Sequence, residues 1–147
     1  MIGKLYNNIG ICSLGIVATL QHADYLPISK ILLIMPIIAH SGLTSYLARS
    51  TTKVMSVEQI IAKQPKYFSN FNDRFYDGIV ASINSLQLLI EIAAIEWSDG
   101  HFSVPEKIHY EKSMGARTKK IFGASVNIYN LLKDDAANLY TNLRVQI

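Results

Sequence analysis

Four histidines, one cysteine and a scatter of carboxylates are the side chains of this 147-residue chain best suited to covalent or metal chemistry. His22, His40, His101 and His109 stand apart, and none has the HxxxH or HExxH spacing that sets two imidazoles on one helical face. Cys12 has no second cysteine, which excludes an internal disulfide and any zinc site built on several thiolates. It sits in an apolar run, where a thiol packs as a small hydrophobe. Such cysteine usage fits a reducing compartment, the cytosol. No GxSxG marks a nucleophile elbow, and neither GxxxxGK[ST] nor GxGxxG offers a phosphate loop. Asp99, Glu106 and Glu111 lie near one another, but turn, cap and surface roles account for them without general acid–base work. The residues therefore predict no catalytic, metal or cofactor site, and a chain that is not an enzyme.

The densest charge is basic. Lys112, Arg117, Lys119 and Lys120 cluster beside His109 and Tyr110, and positions 112, 116 and 119–120 share a side if the stretch is helical. Such a patch can meet nucleic-acid phosphates without reading sequence. It can equally be a solvated face beside Glu106 and Glu111. The net charge of +3 is uneven: residues 1–70 carry six bases and two acids, residues 71–147 eight bases and nine acids. Neither half has the density of a dedicated nucleic-acid arm.

The elements that must position these residues follow from periodicity. Over Asn72–Trp97, apolar residues recur in steps of three and four through Phe75, Ile79, Ile83, Leu86, Ile90, Ala93 and Trp97. A second stripe runs through Val80, Leu88, Ile92 and Ile95, leaving a narrow polar strip at Asp77, Asn84, Gln87, Glu91 and Ser98. A helix apolar on most of its circumference has to be covered from more than one side. The expected fold is mainly α: a compact helical domain, residues 1–147 as one unit, around this central helix (72–97). Asn72 is its expected N-cap, and Asp99-Gly100 its stop and a tight turn.

Before it, a first helix is expected over about Asn7–His22, a second over 28–40 that Pro36 kinks or ends, a short one over Leu43–Ala48, and one capped by Ser56 with Gln59 three residues on, stopped by Pro65. After it, Gly100–Val104 alternates like a short strand and should pair with Lys53-Val54-Met55, making a very short β-hairpin (about 53–55 and 100–104). A C-terminal stripe through Ile121, Ser125, Ile128, Leu132, Ala136, Leu139 and Leu143 is divided by Gly123 or Asp134-Asp135. Ile9–Leu20 lacks the cleavage site of a signal peptide, and Ile31–Ala39 falls short of the roughly 18 residues that span a bilayer, so no membrane partner is expected.

Half of the residues are hydrophobic and only 17% are charged, against about 25% in ordinary soluble chains. Apolar surface in excess of what one small domain conceals calls for protein partners. Leu5, Ile9 and Ile16 of the first helix and Ile128, Leu132 and Leu139 of the last stripe are the candidate partner-binding residues. The order of short helices, long helix and turn is winged-helix-like. Its expected reading helix, Ser56–Gln64, offers only Glu58, Gln59, Lys63 and Gln64, which is thin for groove readout and favours use as a protein-docking module.

Four stretches carry a family resemblance: YNNIGICSLGIVATL, ILLIMPIIAHSGLTSYL, the long helix with its DGHFSVP turn, and ARTKKIFG…IYNLL…LRVQI. In order and spacing they resemble the middle component of bacterial three-component ABC systems, the group that includes the small subunit of Lamassu-type anti-phage and anti-plasmid defence. The resemblance implies a non-catalytic adaptor that bridges an SMC/Rad50-like ABC ATPase and a nuclease-like effector, touching DNA only indirectly or non-specifically. The alternative from the residues alone is a winged-helix DNA-binding regulator.

Overall fold

A computed structural model describes residues 2–147, with side chains from Asn8 onward. The chain runs α1 (Ile2–Leu20), β1 (Leu26–Pro27), α2 (Ile28–Ile31), α3 (Ile34–Ile38), α4 (Ser41–Ala48), α5 (Val57–Lys63), α6 (Phe71–Glu91), β2 (Glu96–Ser98), β3 (His101–Ser103), α7 (Ala116–Leu132) and α8 (Ala136–Asn142). It is mainly helical with a small antiparallel sheet of order β1-β3-β2, in keeping with a winged-helix-like arrangement.

The expected 72–97 helix is not enclosed by the others: α6 packs on α1 and α3 along one side only. α6 and α7 both lie against α1 and hardly touch each other, and α3 fills in beside them. Cys12, Ile16, Ala18 and Leu20 are consequently without exposed surface. All five residues of α3 are buried, so most of the greasy 31–39 run is interior. Among the described residues no single helix is long and apolar enough to cross a membrane. Two glycines permit the close packing: a Cβ on Gly15 would stand 2.6 Å from Ile38 Cδ1, and one on Gly78 would stand 2.9 Å from Met35 Cγ.

Local chemistry sets the breaks. Pro36 lacks the N–H that would bond Leu32 in a continuous helix, and the chain breaks at Leu32–Leu33, leaving Pro36 in the first turn of α3 where no donor is needed. Ser41 and Gly42, which fall between the helices expected over 28–40 and Leu43–Ala48, instead open α4, because the ring Nδ1 of His40 accepts from the Leu43 amide at 3.0 Å and caps the helix. The Ser56 cap on α5 forms as expected, with the Gln59 amide donating to its hydroxyl at 3.1 Å. Asp134-Asp135 does divide the C-terminal stripe: Asp135 caps α8 and Asp134 accepts from the Val57 amide at 2.9 Å.

Two expectations are corrected. The long helix ends at Glu91, and Trp97 lies in β2. Ala93 turns left-handed (φ 60) and the Ala94 amide reaches back to the Leu89 carbonyl at 2.9 Å, a Schellman ending that the apolar periodicity concealed. Asn72 does not cap α6 either; its side chain accepts from the Gln146 amide at 2.8 Å. The second correction concerns the hairpin. Residues 53–55 form no strand, because the Val54 amide is taken by the Asn127 side chain at 3.2 Å. The strands that pair are 96–98 with 101–103, joined by Asp99 (φ 52) and Gly100 (φ 78), the two left-handed positions of a primed turn. Leu26 and Pro27 add the third strand, opposite Phe102 and His101.

Candidate functional site

Polar side chains inside the fold serve its architecture. Asn127 sits at 5% exposure and donates to the Leu47 and Thr52 carbonyls at 2.8 and 2.9 Å while accepting from Val54, so one amide pins the 47–54 turn to α7. Gln21 clasps Ile108 in both directions, donating to its carbonyl at 2.9 Å and accepting from its amide at 3.1 Å. Burial pushes the Cys12 thiol up, away from the thiolate a nucleophile needs, and the Ser85 and Ser82 hydroxyls only partly offset that. His22 lies 2.8 Å from the Ser125 hydroxyl, which itself donates to the Phe122 carbonyl; burial and then Lys107 hold this imidazole below its usual range. Among the described residues no group of three or more His, Cys, Asp or Glu could hold a metal ion.

The expected docking residues are mostly inside. Ile16, Ile128, Leu132 and Leu139 have no exposed surface, Ile9 is half-buried, and the side chain of Leu5 lies outside the described residues. Ile16 on α1 and Ile128 and Leu132 on α7 belong to two helices that pack together, and Leu139 on α8 joins the same core. They therefore hold the chain together and present nothing to a partner in this conformation.

Exposed apolar surface gathers instead on α6. Tyr76, Val80, Ile83 and Ile90 stand 44–62% exposed, in steps of four, three and seven along one face. Leu88 and Ile92, on the far side of the polar edge of that face, and Trp97 in β2 are exposed as well. The opposite side of α6, with Phe75, Ser82, Ser85 and Leu89, packs on α1 and α3. One edge of the open face is acidic: Asp73, Asp77 and Glu91 are exposed, as is Glu96 just past the helix. The single cation of α6, Arg74, turns the other way and donates to the Pro36 and Tyr67 carbonyls at 3.0 and 2.8 Å. Periodicity picks out all of these apolar residues except Tyr76, but on its own assigns them to the interior.

The basic cluster forms at another end of the molecule. Lys112 lies in a single-turn 3-10 segment and Arg117, Lys119 and Lys120 open α7, all four exposed. The Tyr110 hydroxyl donates to the Gly115 carbonyl at 3.1 Å and steadies the turn (Gly115 φ 92) that leads in. No acid occupies the first turn of α7, so these cations add to the positive end of the helix dipole. Arg117 and Lys120 rim a cleft of about 460 Å3 whose floor is Ile38, Ala39, Thr44 and Ile121.

The expected reading helix is occupied by the protein itself. Glu58 accepts from Asn138 and Asn142 at 2.6 and 3.2 Å, and Gln59 accepts from the Met55 amide. Only Lys63 and Gln64 are left of the four readers. By sheet order, the helix that leads into the β2–β3 wing is α6, and its open face is apolar and acidic, which repels phosphate.

Comparison with known proteins gives one match. A family model described as ABC-three component (ABC-3C) system Middle Component 3 covers residues 6–147. No curated protein and no solved structure matches the chain.

Proposed function

The chain belongs to the ABC-three component Middle Component 3 family, and from that premise we propose that it is the non-catalytic adaptor of its system, bridging an SMC/Rad50-like ABC ATPase and a nuclease-like effector in bacterial defence against phage or plasmid DNA. Membership places it in a three-component system; the identity of the two neighbours is the proposal. The observation that carries it is the pairing of two chemically opposed surfaces on one rigid core, an apolar face with an acidic edge on α6 and a cationic end at the start of α7. Opposed surfaces suit two different partners held at once, and a bridging subunit needs that. Co-expression with the proteins encoded beside it tests the reading: all three should elute as one complex. A soluble monomer that retains neither neighbour ends it.

The basic end favours one further reading, a DNA contact made within the assembly. A gel shift that weakens steeply with salt, and is lost when Lys119→Glu and Lys120→Glu are combined, is the expected result. Absence of any shift leaves the cations as a protein-docking surface.

A further inference from the structure

We propose, resting on the adaptor reading, that the open face of α6 receives an amphipathic helix of a partner protein, apolar along its contact stripe and lined with lysine or arginine along one edge. Tyr76, Val80, Ile83, Gln87 and Ile90 follow one another at four, three, four and three residues, all exposed. That is the ridge one helix offers to another, about 20 Å long at ~1.5 Å per residue. Steps averaging 3.5 residues keep the ridge in register with a partner helix that supercoils along it.

Charge selects the occupant. Asp73, Asp77 and Glu91 line one side of the ridge, and Arg74 is engaged by backbone carbonyls away from it. A second copy is a poor fit. In an antiparallel pair of α6 helices like edges meet, so these carboxylates would face their own counterparts; in a parallel pair they would face the apolar edge. Anionic lipid and nucleic-acid phosphate are repelled by the same groups. A cationic edge on the incoming helix satisfies these three acids, and rim charges of this kind fix register and raise the association rate.

An anchor point completes the surface. Where α6 ends, a cleft of about 470 Å3 opens between it, α1 and the 106–108 segment, with Leu88, Ile92, Leu14, Val17 and Ile108 among its walls. Leu88 and Ile92 place it across the acidic edge from the ridge, and it has room for a large apolar side chain of the kind that dominates interface energetics.

The test uses the full chain and two designed helical peptides of about 20 residues, with leucine at matching spacing. One carries lysine along an edge, the other glutamate. The lysine peptide should bind at least about tenfold tighter by fluorescence anisotropy. Val80→Glu with Ile83→Glu, at positions already solvent-exposed, should keep the helical circular dichroism and lose that binding. Asp73→Lys with Asp77→Lys should transfer the preference to the glutamate peptide. Lys119→Glu with Lys120→Glu should leave binding unchanged. Equal binding of both peptides, or of neither, overturns the proposal. So does a homodimer that the Val80 and Ile83 changes dissociate, since the occupant is then a second copy. The adaptor reading fails separately, when neither neighbour-encoded protein is retained whatever the peptides do.

Discussion

His40 caps α4 with a ring nitrogen, an acceptor that exists only while that nitrogen is unprotonated. Burial and then the nearby Arg74 hold this imidazole below its usual 6.5, and burial and then Lys107 do the same for His22. As pH falls below about 6.5 the unfolded chain therefore takes up these protons first. The stability they contribute is complete above that point and is lost as pH falls through the folded-state values, after which the dependence flattens. Urea midpoints at pH 7.5 and 5 should show the loss. His40→Asn keeps a capping acceptor without the titration and should be less pH-sensitive, whereas His40→Ala should cost about 1 kcal/mol at neutral pH. Asn127 makes a larger demand. Replacing it with Leu strands two carbonyls and an amide in the interior, each worth about 1 kcal/mol or more when left unpaired, so a loss of about 2–4 kcal/mol is expected in the same assay. Neither role is legible in the sequence. Histidine is an uncommon N-cap, and the partners of Asn127 lie more than seventy residues away.

Helix endings show how far local pattern carries. The Ser56–Gln59 signature, Pro65 and the Asp134-Asp135 break are short-range chemistry, and the sequence places each correctly. The end of α6 is different. Ala93 and Trp97 continue the helical period, yet the chain leaves the helix at Glu91 because β2 has to pair with β3. That turn holds Ala93 at φ 60, where a Cβ costs about 1–2 kcal/mol. Ala93→Gly relieves the strain while adding freedom to the unfolded chain, so a net gain of about 0.5–1 kcal/mol is expected by thermal unfolding. A loss would mean that the exposed Ala93 methyl contributes packing. β1, two residues long, has no periodicity of its own; only its distant partner makes it a strand. The open face of α6 was misassigned for a related reason. Period identifies which side chains share a face, and Val80, Ile83 and Ile90 do, but it is silent on whether the chain itself or another molecule covers that face.

For the molecule as a whole, a stability cost marks the cationic end of α7. Cations in a first helical turn oppose the dipole by about 0.3–1 kcal/mol each, and Arg117 stands there with no acid to offset it. Arg117→Glu should therefore raise the melting temperature of the isolated chain. The same change should weaken whatever anionic surface docks at that end, which is the pattern of a residue retained for binding at the expense of folding. α1 separates this end from the open face of α6, so the two surfaces should fail independently. Lys119→Glu with Lys120→Glu should release one neighbour from a co-purified complex and keep the other. Val80→Glu with Ile83→Glu should do the reverse, and the four changes together should release both. Losing the same neighbour from both pairs of changes would reduce the two surfaces to one interface wrapped around the molecule. A bridging subunit would then have to find its second contact elsewhere, in a surface built from neither the α6 ridge nor the start of α7.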